Sequence, residues 1–164
     1  KFFGGFTNTF NYKGFSLIGL LTFSYGGDML YVADIANHDL GNRTNKTARI
    51  LDHWTPDNPN SEFPRLMFKQ SASVYTASNN VYDASYIKLK SITLNYDFSQ
   101  RLMTKLKMRS ASIYVSASNL FTITSYPGPD PEVTNDPYSI IGGYSDVGGY
   151  PTIKQYNAGL RFGF

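Results

Sequence analysis

Apolar and polar residues alternate along five stretches of this chain, and those stretches predict its skeleton. In the first, about residues 1–12, Phe2, Phe6, Phe10 and Tyr12 share one parity, broken by Gly4 and Asn8, while Thr7, Thr9 and Asn11 occupy the other. After the turn Tyr12-Lys-Gly14, the second stretch (about 15–26) sets Phe15, Leu17, Gly19, Leu21, Phe23 and Tyr25 against Ser16, Thr22 and Ser24, with Ile18 and Leu20 blurring its polar side. A period of two, repeated across a short glycine-containing turn, predicts a β-hairpin. A third strand, about 84–98, places Ile92, Leu94, Tyr96 and Phe98 opposite Ser91, Thr93, Asn95 and Asp97. A fourth, about 110–125, alternates Ala111, Ile113, Val115, Ala117, Phe121 and Ile123 with Ser112, Tyr114, Ser116, Ser118, Thr122 and Thr124. The last, about 153–164, carries Tyr156, Ala158, Leu160, Phe162 and Phe164 on one face and Gln155, Asn157, Gly159, Arg161 and Gly163 on the other.

The connections are unequal. Tyr12-Lys-Gly14 is tight, and Ser99 to Arg109 is a basic linker in which a turn of helix would put Leu102 and Leu106 on one side. Residues 27–83 and 126–152 instead read as two long loops rich in Asp, Asn, Pro, Thr and Gly, with room for one more short strand near Ser71 to Tyr82. Soluble domains seldom carry about fifty residues without strong periodicity. Antiparallel alternation puts both short connections and Phe164 at one end and both long loops at the other. Outer-membrane barrels have this asymmetry, with short periplasmic turns and long extracellular loops.

Composition strengthens the β reading and narrows the medium. Among 164 residues, thirteen Tyr and twelve Phe contribute to 16% aromatics, and charged residues make up another 16%. That charge content is below the usual quarter of a globular domain. A lipid-facing wall excludes charge and can line its lumen with Ser, Thr, Asn and Tyr. The net charge of +3 is dispersed, with no basic stripe to hold nucleic acid. With no Cys, disulfides and thiolate metal sites are excluded. No run of apolar residues is long enough for a membrane helix, a test that strands never meet. Lys1-Phe-Phe-Gly-Gly begins in mid-strand, and five strands do not close a barrel of the usual even count, so the chain is expected to be part of a larger wall. From the residues alone, a soluble β-sandwich acting as a glycan-binding or adhesion module stays open as the alternative.

Several segments also resemble a known family. The strand from Tyr86 to Phe98, the linker with Leu102, Lys105 and Leu106, and the strand ending Val115-Ser-Ala-Ser-Asn-Leu-Phe-Thr122 follow its order. So do Tyr126-Pro-Gly-Pro-Asp-Pro-Glu-Val133, Gly149-Tyr-Pro151, Phe3-Gly-Gly-Phe6 and Tyr12-Lys-Gly-Phe15. Together they resemble the C-terminal end of SusC/RagA-type TonB-dependent outer-membrane transporters. The resemblance implies an all-β chain: antiparallel transmembrane strands of a plugged barrel of about 22 strands, with two long extracellular loops. It implies TonB-dependent import of oligosaccharides or oligopeptides in the outer membrane of a Gram-negative bacterium. The expected partners are the remaining barrel and plug, a SusD-like surface lipoprotein, TonB through the plug segment, outer-membrane lipid and the barrel assembly machinery. Tyr156, Leu160, Phe162 and Phe164 then resemble the terminal signal that this machinery reads.

The chemistry-bearing residues add contact surfaces rather than a reaction, and no enzyme activity, cofactor or metal is expected. His38 and His53 lack the spacing of a metal or catalytic pair. Asp130, Glu132, Asp136 and Asp146 lack the pattern of a calcium loop and read as turn formers. Asn42-Arg-Thr44 and Asn45-Lys-Thr47 match a glycosylation sequon but read as polar loop. Aromatic side chains offer an apolar face with a polar handle, suited to stacking on sugars or filling an interface. Trp54, Tyr82, Tyr138 and Tyr144 are therefore the candidate contacts for substrate or lipoprotein. Tyr12, Tyr25, Tyr96 and Phe98, near strand ends, suit an interfacial aromatic girdle.

Overall fold

In a computed structural model of the chain, the described residues are 1–38, 45–67, 78–132 and 145–164. In chain order the regular elements are β1 (Phe2–Tyr12), β2 (Phe15–Tyr25), β3 (Asp28–Tyr31), α1 (Val32–His38), β4 (Val81–Asp83), β5 (Tyr86–Asp97), α2 (Gln100–Leu106), β6 (Ser110–Thr124), β7 (Ser145–Asp146) and β8 (Gln155–Gly163). Short 3-10 turns cover Ala48–Leu51 and Ser78–Asn80. The chain divides into two compact units, Lys1–Gly26 with Ser85–Ser125 and Thr152–Phe164, and Gly27–Ala84 with Tyr126–Pro151.

The first unit is an antiparallel sheet of five strands in the order β1-β2-β5-β6-β8. Its first hairpin closes through Lys13 and Gly14, both at positive φ (45° and 88°), directly between the paired residues Tyr12 and Phe15. Two positive φ values match the twist of the flanking strands. The Gly14 carbonyl accepts from the Asp97 amide at 2.8 Å, and a Cβ on Gly14 would lie 2.9 Å from the Asp97 carbonyl oxygen. The glycine thus serves both the turn and the neighbouring strand.

Register carries the alternation of each strand across the whole sheet. Phe10 pairs with Leu17, Leu17 with Leu94, Leu94 with Val115 and Val115 with Ala158, forming a continuous apolar row. The polar face runs parallel to it, as in the row Ile18, Thr93, Ser116 and Asn157. One feature departs from simple alternation. Ile87 and Leu89 have the parity of Ser91 and Thr93, yet they pair with Phe23 and Leu21 on the apolar face, because a bulge at Lys90 advances β5 by one residue. On the other side of β5, the same irregularity faces Asn119 and Leu120, and Asn119 takes a φ of 54°. A bulge rotates every side chain beyond it, and here it restores the apolar row.

The apolar face is uncovered. Phe10 is 62% exposed, Ile123 62% and Leu160 58%. A sandwich would bury these residues against a facing sheet. From the Phe2–Tyr25 pair to the Tyr12–Phe15 pair is about 33 Å along the strand, or roughly 25 Å after a tilt of about 40°, the height of an outer-membrane apolar band. Aromatic contacts mark both ends, with Phe2 and Tyr25 centroids 5.2 Å apart at one and Phe15 and Tyr96 4.5 Å apart at the other. The short connections and the last strand share one end, where the Arg109 amide donates to the Gly163 carbonyl at 2.8 Å.

The connection between β5 and β6 is helical as expected but faces differently. It is a seven-residue helix whose buried side chain is Met103, while Leu102 and Leu106 are exposed. Lys107 in the left-handed conformation ends it, and the Met108 amide donates to the Met103 carbonyl at 3.0 Å. That is a Schellman-type closure, with lysine where glycine is usual.

The second unit adds short elements to the residues expected as long loops, with β4 at the end of the stretch where a further strand had room and residues 71–77 of that stretch outside the described residues. β3 pairs antiparallel with β4 and parallel with β7, and Met29, Ala84 and Tyr126 form a small core with Tyr31 and Tyr82 against it. Strands of two to four residues are too short to display a period. Ile35, Ile50 and Phe63 are also buried. No helix among the described residues is long and apolar enough to cross a membrane, which says nothing of strands.

The Gly14→Val substitution tests the hairpin. A β-branched residue at positive φ beside the Asp97 carbonyl is expected to cost about 2–3 kcal/mol, measured by urea unfolding of the lipid-reconstituted protein.

Candidate functional site

Two surfaces carry the residues singled out in the sequence: the polar second unit and the uncovered face of the sheet. In the second unit, the 3-10 turn at Ala48–Leu51 leads into a loop held by short-range polar bonds. The Asn58 amide donates to the Thr55 hydroxyl at 3.0 Å, and its side-chain amide donates to Asp52 at 2.7 Å. The Trp54 amide donates to the Phe63 carbonyl at 2.8 Å, and the Ser61 hydroxyl donates to the Asp52 carbonyl. This bracing leaves the Trp54 side chain 38% exposed. It lines an open cleft of about 660 Å³ with Ser61, Glu62, Phe63, Pro64, Arg65, Ser78 and Asn79. An exposed indole in a cleft that also holds Glu62 and Arg65 suits stacking with polar ligands.

Tyr82 has a different setting. Its ring lies 6.3 Å from that of Tyr31 and 6.5 Å from that of Tyr126, both edge-on, and its hydroxyl is 3.5 Å from Asp34. Asp34 also accepts from Arg49 at 3.2 Å, and Arg49 lies 3.6 Å from Glu62 and 5.4 Å from the Phe63 ring centroid. Tyr82 therefore packs and braces its own unit. Asp34 and Arg49 were not singled out in the sequence, because residues 15 apart gave no local pattern to connect them.

The buried end of this cluster is Asp146, which is 1% exposed. One of its oxygens accepts from the Tyr126 hydroxyl and the other from the Gly148 amide, each at 2.8 Å. Burial, then the bond to Asp146 and its charge, push the Tyr126 phenol well above the ordinary tyrosine value. Burial likewise raises Tyr31, helped by Asp146 and Asp34. Both shifts favour the protonated phenol, and Tyr126 in that form donates to Asp146.

The other candidates have plain placements. Asp130 accepts from the Glu132 amide at 3.0 Å, a turn contact. His53 Nδ1 lies 3.2 Å from the Ile50 carbonyl. Among the described residues no group of three or more His, Cys, Asp or Glu is placed to hold a metal ion. Tyr138, Tyr144, Asp136 and the sequon at Asn42 lie outside the described residues. On β8, Tyr156 is 70% exposed, Leu160 58% and Phe162 57%, and Phe164 beyond it is 86% exposed.

No protein-family model matches the chain. Among curated proteins, it is 32% identical over 165 residues to TonB-dependent receptor P3 of Formosa agariphila, and 31% identical over 171 residues to TonB-dependent receptor P26 of the same organism. Each match covers 98% of this chain and 16% of the relative, so the chain spans about one sixth of the length of these proteins. Among solved structures, it superposes on a chain of the RagAB peptide importer in its open-open state with a TM-score of 0.78 and 31% identity. The closed-closed state gives the same values, and each superposition covers 99% of this chain and 17% of the other.

Replacing Tyr126 with Phe is expected to destabilise the second unit by about 1–3 kcal/mol, since buried Asp146 loses a donor. The elevated phenol also sets a pH dependence. Its stabilisation is complete below the ordinary tyrosine value of 10.0 and declines above it, where only the unfolded chain deprotonates. Resistance of the second unit to urea should fall above that pH in the native protein and fall less steeply in Tyr126→Phe.

Proposed function

This chain belongs with the TonB-dependent receptors of the SusC/RagA type, and from that premise we propose that it supplies wall strands and extracellular segments to an outer-membrane nutrient importer. The carrying observation is the uncovered apolar face of the five-stranded sheet, roughly 25 Å tall and bounded by aromatic pairs. In lipid, every backbone polar group needs a partner within the protein. β1 and β8 at the sheet edges therefore pair with further strands of a closed barrel.

The cargo is an oligopeptide or an oligosaccharide. Similarity to the RagAB peptide importer supports the first. The paired name of that importer also agrees with a SusD-like lipoprotein partner at the extracellular mouth. The reading places the second unit outside the membrane, where Trp54 contacts cargo or lipoprotein. Tyr82 acts there by shaping the unit, and Tyr138 and Tyr144 are further contact candidates. Energy arrives from TonB through the plug, and the wall residues perform no chemistry.

On and just beyond β8, Tyr156, Leu160, Phe162 and Phe164 face lipid and form the terminal pattern recognised during barrel assembly. Removing Phe164 from the complete receptor is expected to lower its outer-membrane level, assayed by fractionation and heat-modifiable mobility. Normal assembly would remove the signal role. Trp54→Ala is expected to reduce cargo uptake about tenfold at unchanged receptor level, the loss typical of one buried aromatic anchor. Unchanged uptake together with unchanged lipoprotein co-purification would remove the contact role.

A further inference from the structure

The connection between β5 and β6 carries charge of one sign. From Phe98 to Ser110 it holds Arg101, Lys105, Lys107 and Arg109 and no acidic residue. All four are exposed, and among the described residues none of them forms an ion pair. Lys13, also exposed, stands at the same end of the sheet, since the Asp97 amide donates to the carbonyl of the adjacent Gly14. Like charges on so short a segment repel one another, and a counter-charge outside the chain relieves them.

Helix geometry sets apolar groups beside that charge. Met103, 2% exposed, fixes the side of α2 that meets protein. At about 100° per residue, Leu102 and Leu106 form the adjacent stripe, and Arg101 with Lys105 the next one round. Leu102 is 41% exposed and Leu106 56%. Leucines one turn apart, bordered by bases one turn apart, are the pattern of a helix lying in a membrane–water interface, its apolar groups among acyl chains and its cations at the headgroups. Seven residues could not hold that pose alone, but the flanking strands stay bonded up to the connection, the Phe98 amide donating to the Ala111 carbonyl at 3.0 Å. α2 also leaves the sheet at the aromatic border of the apolar face, where the Phe98 ring lies 5.3 Å from Tyr96 and Tyr96 lies 4.5 Å from Phe15.

We propose that α2 docks on anionic phospholipid of the periplasmic leaflet, with Leu102 and Leu106 among the acyl chains and Arg101, Lys105 and Lys107 on the phosphates. The inference rests on the receptor reading above, which puts this end of the strands on the periplasmic side. Charge complementarity selects an anionic partner. Continuity of the leucines with the lipid face selects a lipid over a soluble acidic protein.

The test uses the complete receptor in phosphatidylcholine nanodiscs, with a single acrylodan label at Leu106→Cys and doxyl-labelled lipid as quencher. Half-quenching is expected at about tenfold lower mole fraction of doxyl phosphatidylglycerol than of doxyl phosphatidylcholine, the preference that a few cations supply at a screened surface. Combining Arg101→Gln, Lys105→Gln and Lys107→Gln should bring the two lipids within about twofold of each other. Equal quenching by both lipids with the bases intact would overturn the proposal, as would a preference that survives the triple substitution. Absence of quenching by either lipid would also overturn it and leave the surface to a soluble acidic partner. A second label at Leu160→Cys, on the lipid face of β8, separates the two readings. Quenching there with none at Leu106 removes the docking proposal alone, whereas no quenching at Leu160 removes the barrel wall and the docking with it.

Discussion

Backbone hydrogen bonding in a medium without water is the constraint on which this chain depends. A sheet with one face in hydrocarbon cannot leave amides unpaired, because each would cost several kcal/mol with no solvent to replace the partner. The five strands accordingly run in antiparallel ladders, interrupted at the Lys90 bulge, and the linker helix returns its last amides to its own carbonyls. The same constraint makes the sheet edges incomplete by themselves. Side-chain hydrophobicity then decides which face meets lipid, but only after pairing has fixed the register.

The two units are stabilised by different means. In the sheet, few residues are deeply buried, and much of the stability must come from ladder bonds and from lipid covering the apolar face. The second unit instead has a small aromatic core around Tyr126 and a buried carboxylate satisfied on both oxygens. Donors placed around Asp34 and Asp146 brace this second unit, so Tyr31, Tyr82 and Tyr126 act as bracing rings, while Trp54 lines an open cleft.

How legible this was in the sequence follows from the length of each element. Strands such as Phe15–Tyr25 and Ser110–Thr124 are long enough to express a period, and the antiparallel fold class could be read from them. The two- to four-residue strands around Met29 could not be read, since they are fixed by contacts between residues far apart in the chain. The linker helix was legible as a helix but not in its facing, because Met103 and not the Leu102–Leu106 pair meets protein. Trp54 was visible as a candidate by residue type alone. Asp34 and Arg49, which brace its unit, required the folded geometry.

The bulge at Lys90 has a consequence for comparing this chain with its relatives. It divides β5 into two reading phases, so Ile87 and Leu89 belong to the lipid face by a different parity from Ile92 and Leu94. Lys88, almost fully buried and bonded to the Thr152 hydroxyl at 2.9 Å, depends on that offset to face inward. An alignment gap of one residue at this point is therefore not a neutral shortening of a strand. It is a change of solvent for every side chain on one side of the gap, and sequences that vary there in length carry a compensating shift or a differently built wall.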